Sequence, residues 1–419
     1  MFLKRKIVIL LFLSAITFGA VFQIQTQLEY GFEQIVDSIK FGLVVPFMGT
    51  NFRASGGFVR DNAVVPPYSD FLKNHYWYWD EGYFEYRSQC LQIDVGVKQN
   101  RVGPASFYNL FLSENGFSYP TVRVSWKDET QKIAVETLWA GLRPFATNDR
   151  PIKGLIYRRL AMLPFDGLEV GYEESVLFLN RYFDPYYYFV PIPIPAIQEF
   201  WHLSAPWGVS SDQLDDNSMV GAYAVLRGKE WRAYAEILVD DINMNRFISP
   251  ESYQNPDKIA FLVGFSGRSD PVKFTVEVAG ATAFTFERTH TDRPYEYVFF
   301  EGSNYPIEKN MIGYKYGENN IACTIDFEYS FSNWSFNLNW ESVIFGTRTP
   351  SRPWHGRPKP NSTKWLIGQI ESVSTLKAGA TYRLSNLFSI FKDVFLSGVV
   401  GLRNSQAFFG FSFSLSVEL

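Results

Sequence analysis

Histidine and cysteine would supply the most recognisable catalytic or metal-binding chemistry in this chain, and both residue types are scarce. The 419 residues include two cysteines and four histidines, His75, His202, His290 and His355. Structural zinc and related metals are held by His and Cys ligands that recur at short intervals along a chain. No two of these residues fall at such an interval, so we expect no metal site and no cofactor.

Carboxylates are the other candidates, because a pair of them can act as general acid and general base. The clearest pairs, Glu173-Glu174 and Asp240-Asp241, are directly adjacent in the sequence. Adjacent side chains on a strand point to opposite faces, so neither pair would converge on one substrate. We therefore predict that the protein is not an enzyme and assign no catalytic residue.

Charged residues four positions apart do share one face of a strand. Glu169 and Glu173 are spaced in this way, as are Glu236 and Asp240. We interpret them as charges on the inside of a barrel, paired with nearby arginines. The predicted lumen charges are Arg158, Glu173, Arg232, Glu236 and Asp240.

Repeated alternation of apolar and polar residues indicates the strands that would position these charges. In Phe409–Leu419, Phe, Leu and Val alternate with Gly, Ser and Glu without a break. The same period of two recurs from Tyr83 onward and often ends in Trp or Tyr. The pattern favours an all-β fold, a transmembrane antiparallel β-barrel with apolar residues toward lipid and polar residues toward a wet interior. A soluble, secreted β-protein that binds glycans remains an alternative.

Composition agrees with this fold class and limits the partners. Aromatic residues make up 18% of the chain, which fits the interfacial girdles of a membrane barrel or a carbohydrate-binding surface. The formal net charge of −4 argues against a nucleic-acid partner. The expected partners are outer-membrane lipid and a surface polymer.

Three segments are expected along the chain. Residues 1–20 resemble a signal peptide, because Lys4, Arg5 and Lys6 precede a short apolar run. Residues 21–78 are predicted to form a periplasmic segment with a short helix over Gln23–Lys40 and a possible first strand. Residues 79–419 are predicted to form the barrel, which places the protein in the outer membrane.

The connections between strands predict the number of strands and the sidedness of the barrel. Short links alternate with long ones, as expected for short periplasmic turns and longer outer loops, and give about 18 strands. The predicted outer loops are Asn180–Ser218, Asp241–Lys258 and Gly346–Lys364. Gly317–Asn319 is expected to be a short turn on the outside, and Trp365–Leu384 is either one long strand or a hairpin.

The predicted outer loop Gly346–Lys364 is cationic and stiffened by proline. It contains no acidic residue, so it suits the capture of an anionic polymer. Its candidate binding residues are Arg348, Arg352, Trp354, Arg357 and Lys359. A solvated loop that touches lipopolysaccharide, or touches nothing, is the alternative.

The stretch Arg181–Trp207 is rich in aromatic residues and prolines. Exposed rings such as Tyr187 and Trp201 could stack on sugar faces and are the binding candidates here. The same rings could instead fold inward and plug the barrel, and we favour the plug.

Several short stretches carry a resemblance to a known family. They are Leu155-Ile-Tyr-Arg-Arg-Leu, Leu168-Glu-Val-Gly-Tyr-Glu-Glu, Asp215-Asp-Asn before Gly221, and Tyr234-Ala-Glu-Ile-Leu-Val-Asp-Asp. In order and spacing they resemble the Wzi-like capsule assembly family of outer-membrane barrels. The resemblance implies about 18 strands, a periplasmic helical portion and a lectin-like role at the cell surface. It implies no catalytic residue.

Two functions are therefore expected. The first is a non-enzymatic outer-membrane barrel that binds or organises capsular polysaccharide or exopolysaccharide through its extracellular loops. The second is a porin-like channel whose charged lumen passes solutes.

Overall fold

A single closed sheet of 18 antiparallel strands forms the wall of the molecule. The computed structural model describes residues 21–31, 34–47, 49–60, 76–147, 150–202, 216–243, 245–251, 256–287, 297–300, 306–347, 363–388, 391–404 and 406–418. The first nine strands are β1 (Val21–Gly31), β2 (Gln34–Phe47), β3 (Thr50–Arg60), β4 (Tyr76–Arg87), β5 (Leu91–Lys98), β6 (Tyr119–Lys127), β7 (Ile133–Arg143), β8 (Lys153–Phe165) and β9 (Leu168–Leu179). The other nine are β10 (Asn217–Arg227), β11 (Trp231–Asp241), β12 (Lys258–Ser269), β13 (Val272–Ala281), β14 (Asn320–Phe331), β15 (Trp334–Phe345), β16 (Glu371–Phe388), β17 (Phe391–Arg403) and β18 (Gln406–Glu418).

Among the described residues, four helices lie in the connections between these strands. They are α1 (Pro185–Phe189), α2 (Ile194–His202), α3 (Asn245–Ile248) and α4 (Ile307–Asn310). Among the described residues, no helix is both long enough and apolar enough to cross a membrane.

The sheet closes where the first strand meets the last. β1 pairs with β18 along its whole length, from Val21 opposite Glu418 to Gly31 opposite Phe408, and with β2 on its other side. Closure leaves neither strand with an unpaired edge. The predicted closing strand and the predicted count of about 18 strands are confirmed.

The predicted N-terminal helix over Gln23–Lys40 is wrong, because these residues lie in the hairpin of β1 and β2. The apolar spacing fits a helical turn, but pairing with β18 satisfies the backbone of this segment as strand. β1, β2 and β3 are part of the wall, so the barrel begins before the predicted boundary at residue 79. The predicted signal peptide, residues 1–20, lies outside the described residues.

The two faces of the wall differ in chemistry, as the alternation predicts. Large apolar side chains point outward and are exposed, among them Val263, Leu338, Val400, Phe409 and Phe411. Polar side chains such as Glu136, Glu277 and Thr324 point inward and are buried. An outward apolar belt around a polar interior is the arrangement of a membrane barrel.

The two ends of the barrel also differ. At the end with both chain termini, the connections are short, for example residues 128–132, 166–167, 228–230, 270–271 and 332–333. Gly167 has a φ of +87° in one of these turns, a conformation that favours glycine. The opposite end carries the long connections 99–118, 180–216, 242–257, 282–319 and 346–370. We call these the short-turn end and the long-loop end.

Two predicted connections are settled by the strand bounds. Residues 282–319 form one long connection between β13 and β14, so the predicted short turn at Gly317–Asn319 is wrong. The turn-like residues there end a long loop, and Gly317 and Asn319 both have positive φ. Within Trp365–Leu384 the structure has one strand, the first part of β16, and no hairpin.

Candidate functional site

The lumen of the barrel is occupied by two of the long connections. Residues 99–118 and the described parts of residues 282–319 turn inward and pack against inward-facing side chains of the wall. We call these segments the first and second inward loops. Most of the buried apolar core of the molecule lies between them and the wall, including Tyr108, Leu110, Phe111, Tyr297, Ile312 and Tyr314.

Glu277 of β13 holds the first inward loop. Its carboxylate accepts hydrogen bonds from the backbone N–H groups of Ser106, Phe107 (2.9 Å) and Tyr108 (3.1 Å). The Tyr234 hydroxyl of β11 donates to the same carboxylate at 2.5 Å. The carboxylate is 0% exposed, so it replaces water as the acceptor for three amide groups of the loop.

The predicted lumen charges Arg232 and Glu236 face this loop. Arg232 donates to the Ser106 hydroxyl at 2.8 Å. Glu236 is buried beside Gly103, where an added Cβ would lie 2.9 Å from a carboxylate oxygen. The loop therefore approaches the wall too closely at residue 103 for a larger side chain. Gly103 also has a φ of +81°.

The other two inward-facing predicted charges have different partners. Asp240 accepts a hydrogen bond from the Phe286 N–H at 2.8 Å, and so holds the start of the second inward loop. Lys258 lies 3.4 Å from Asp240 and also donates to the Glu287 carbonyl at 2.6 Å. Glu173 accepts a hydrogen bond from the Tyr157 hydroxyl and is fully buried.

The two inward loops bind each other through their backbones. The Ser113 N–H donates to the Ile312 carbonyl at 3.0 Å, and the Tyr314 N–H donates to the Leu110 carbonyl at 3.2 Å. At Gly313 an added Cβ would lie 2.1 Å from the Leu110 carbonyl oxygen, so this contact needs glycine. Lys153 of the wall, itself fully buried, donates to the Val298 carbonyl at 2.8 Å. Together the two loops form one plug.

Part of the lumen stays open along the opposite wall. A polar cavity of about 250 Å³ lies on the inner face of β18 and β1–β4. Polar side chains among its lining residues are Gln23, Gln25, Lys40, Arg53, Ser55, Asp80, Glu81 and Ser414. None of its described lining residues belongs to the inward loops.

The predicted lumen charge Arg158 is on the other face of the wall. It has the same strand parity as Leu160 and Met162, which are exposed on the outer face. Its guanidinium donates to Glu174, and to the carbonyls of Val190 and Ile192. Assigning Arg158 to the lumen is therefore wrong; its neighbour Arg159 faces inward and pairs with Glu136 at 2.9 Å.

Arg158 is covered by the described part of the connection that contains α1 and α2, which lies against the outer face of the wall. We call residues 181–202 the outer flap. Tyr187, Tyr188, Ile194 and Ile197 of the flap pack against the outward side chains Ile156, Val176 and Phe178, with Val122 and Trp139 at the edge. The predicted inward plug from Arg181–Trp207 is therefore wrong for these residues. Their apolar packing partners lie on the outer face of the wall.

The predicted binding residue Tyr187 is part of this packing and is only 2% exposed. Its hydroxyl donates to Asp216 at 2.9 Å, and Arg181 pairs with the same carboxylate at 2.5 Å. A ring buried in this way has no free face for a sugar. Trp201 lies in α2, and its side chain is outside the described part of the chain.

The other predicted binding residues, Arg348, Arg352, Trp354, Arg357 and Lys359, fall in residues 348–362, outside the described residues. The residues that flank this segment on both sides are described. Asn319 Nδ2 donates to the Thr347 carbonyl at 2.8 Å and to the Ile367 carbonyl at 3.0 Å. The Ile367 N–H donates back to the Asn319 side-chain oxygen at 3.0 Å. One side chain of the second inward loop therefore holds Thr347, at one end of the cationic segment, and Ile367, a short distance beyond the other end.

Asp257 provides another anchor next to that segment. The Asn243 N–H donates to it at 2.9 Å, the Thr363 hydroxyl donates at 2.8 Å, and Arg246 forms an ion pair with it. Burial acts to raise the pKa of Asp257, but these hydrogen bonds outweigh it and hold the pKa below its ordinary value. A carboxylate with a lowered pKa stabilises the fold above its unfolded pKa and loses that effect as the pH falls through its folded pKa. The anchor is therefore charged and intact at neutral pH.

Comparison with known proteins supports the architecture. No family model matches the chain, and no curated protein matches it in sequence. Among solved structures, it is similar to Wzi of Escherichia coli, described as an outer membrane protein involved in group 1 capsule assembly and a carbohydrate-binding β-barrel. The TM-score is 0.63 with 11% identity, over 98% of this chain and 87% of that chain.

Two further solved barrels come from Pseudomonas aeruginosa. For OprD the TM-score is 0.50 with 8% identity, over 96% of this chain and 95% of that chain. For OccK8 (OprE) it is 0.50 with 9% identity, over 96% of this chain and 98% of that chain. At such identities the likeness shows the fold alone.

In outer-membrane barrels the short turns lie in the periplasm, so the long-loop end faces the outside of the cell. The chain is an 18-stranded β-barrel of the outer membrane, with a fold like that of Wzi.

Proposed function

We propose that the protein holds a surface polysaccharide at the extracellular end of the barrel and catalyses no reaction on it. The plug is the observation that carries this proposal. Glu277, Asp240 and Lys153 tie the two inward loops to three different strands of the wall. A lumen narrowed in this way disfavours threading of a polymer chain and favours the outer surface of the loops as the part that contacts it.

The position of the cationic segment adds to this proposal. Thr347 and Thr363 flank the cationic segment; Asn319 of the second inward loop holds Thr347, and Asp257 holds Thr363. Both ends of the positively charged segment are therefore held in place, one by Asn319 and the other by Asp257. Because the two ends are fixed, the segment would lose less conformational entropy when it binds a ligand. An anionic capsular polysaccharide or exopolysaccharide is the ligand class that these charges suit.

The likeness to Wzi supports the same function, because that protein is described as carbohydrate-binding and as involved in capsule assembly. The described long-loop end also exposes aromatic rings that could stack on sugar faces. Phe145 is 78% exposed, and Phe247 of α3 is 73% exposed. These rings replace the buried Tyr187 as candidate stacking residues.

Removing the charges of the cationic segment tests the proposal. Replacing Arg348, Arg352 and Arg357 by glutamine is expected to lower the amount of polysaccharide retained on cells on the order of tenfold. The estimate takes about 0.5 kcal/mol for each of the three solvent-exposed charge contacts, at 1.4 kcal/mol for each factor of ten. The measurement is cell-associated polymer, at equal amounts of heat-modifiable barrel in the outer membrane.

The matched control removes three exposed charges at the short-turn end, by replacing Lys132, Lys229 and Arg268 with glutamine. It changes the net charge equally and should leave polymer retention unchanged. Normal retention in a correctly assembled triple-arginine variant would refute the assignment of the cationic segment as the binding surface.

A second function, passive passage of small solutes, is favoured by one observation. The polar cavity along β18 and β1–β4 has ion pairs on its wall, Lys40 with Asp80 and Arg53 with Glu85, both at 3.3 Å. Its volume of about 250 Å³ would suit small hydrated solutes and not a polymer. Single-channel conductance distinguishes the two functions, because only the second requires a steady open path.

A further inference from the structure

The outer flap has a surface that neither the plug nor polysaccharide binding explains. It leaves the barrel at the extracellular end and turns back over the outside of β6–β9. Its innermost contact, Arg158, lies five residues along β8 from the extracellular end of that strand. At about 3.3 Å per residue and a strand tilt of about 40°, the flap reaches about 12 Å down the wall.

The flap covers charges on the outer face of the wall. Arg158 and Glu174 are buried there, with side-chain exposures of 11% and 4%. The backbone of the flap completes their hydrogen bonds: the Val190 and Ile192 carbonyls accept from Arg158, and the Ile194 N–H donates to Glu174 at 2.8 Å. An ion pair at this position would otherwise face hydrocarbon, where no water could solvate it.

Within residues 182–198, whose side chains are described, the surface of the flap that points away from the barrel has no charge. From Tyr182 to Gln198 the only charged residue is Asp184, which is 4% exposed and caps α1. The exposed side chains are apolar: Phe189 is 70% exposed, Ile192 is 38% exposed and Phe183 is 39% exposed. A loop in water normally carries charged and polar side chains on such a surface.

This apolar surface continues the lipid-facing belt of the wall. Directly below the flap, Leu160, Met162 and Tyr172 of β8 and β9 are exposed on the same outer face. We propose that the outer flap is a membrane-contact element, with Phe189 and Ile192 inserted among the acyl chains of the outer leaflet. The flap thus extends the apolar belt sideways from the wall and seals the Arg158–Glu174 pair from lipid. The inference depends on the outer-membrane location and not on polysaccharide binding.

Depth-dependent quenching tests this inference on the whole barrel. Cys90 and Cys323 are first replaced by serine, and Phe189 or Ile192 is then replaced by cysteine and labelled with a nitrobenzoxadiazole dye. The labelled protein is reconstituted in phosphatidylcholine vesicles with or without brominated acyl chains. Val263→Cys, on the outer face of β12 and 55% exposed, marks contact with lipid, and Glu129→Cys, in an exposed short turn, marks contact with water.

Dyes at residues 189 and 192 are expected to be quenched by brominated chains to within about twofold of the dye at residue 263. The dye at residue 129 should be unaffected. Quenching at residues 189 and 192 that matches residue 129 would overturn the inference and place the flap in water. The dyes at residues 189 and 192 could be shielded from water only at a high protein-to-lipid ratio, with crosslinks between copies. That result would overturn the inference in favour of a contact between barrels. Heat-modifiable migration of each labelled variant verifies that the barrel has assembled.

Discussion

Replacing Glu277 by alanine is expected to release the first inward loop and to raise single-channel conductance at least about tenfold. The substitution leaves the N–H groups of Ser106, Phe107 and Tyr108 without their buried acceptor. Each unsatisfied buried group costs about 1–3 kcal/mol, and every 1.4 kcal/mol changes a population tenfold. The released state should therefore gain on the order of a hundredfold in population. Recordings in planar bilayers measure the resulting current.

Two further variants sharpen this experiment. Glu328→Ala removes a carboxylate from the inner face of β14, where its described partners are Lys273, Ser330 and Ser335 of the wall. It should not raise the conductance. Tyr234→Phe removes one donor to Glu277 but keeps the three amide contacts, so it should give a smaller increase than Glu277→Ala. Equal conductance of Glu277→Ala and Glu328→Ala would show that Glu277 does not hold the plug.

Replacing Arg158 by alanine is expected to detach the outer flap and to lower the stability of the barrel. Glu174 would remain buried without its cationic partner, and two carbonyls of the flap would lose their donor. Removing one member of a buried ion pair costs about 3–5 kcal/mol. The flap should become sensitive to chymotrypsin, which cleaves after aromatic residues, and the barrel should unfold at a lower temperature in heat-modifiability assays.

Arg227→Ala is the matched control for this variant. Arg227 pairs with Glu169 at 2.9 Å near the short-turn end of neighbouring strands β10 and β9, but its side chain is 45% exposed. An exposed ion pair contributes about 0–1 kcal/mol, so this variant should resemble the unmodified protein. If Arg158→Ala were no more sensitive to chymotrypsin or heat than Arg227→Ala, the flap would not depend on the buried pair.

The strands were predictable because each face of the wall meets one solvent. Side chains alternate between an apolar exterior and a polar interior, and the sequence repeats that period from Tyr83 to the closing strand. β1 and the first part of β2 were missed because the apolar spacing over Gln23–Lys40 also fits a helix. The decisive information is non-local, since Val21–Gly31 is a strand by pairing with β18.

The site was less predictable, because a loop can fold to either side of the wall. The aromatic residues of the flap were expected to plug the lumen, but their buried partners Ile156 and Val176 are on the outer face. One signal was present in the sequence. Arg158 shares its parity with Leu160 and Met162 and not with Arg159. Glu277 could have been placed inside by its parity with Lys273 and Thr275, but nothing local indicated that it binds residues 106–108.

The most direct test of the account is the single-channel conductance of the unmodified protein in planar bilayers. A lumen filled by two inward loops and left with a cavity of about 250 Å³ predicts little or no steady current. The same preparation should conduct strongly when Glu277 is replaced by alanine. A large, steady, ohmic current from the unmodified protein would contradict the plug and favour a channel that passes solutes.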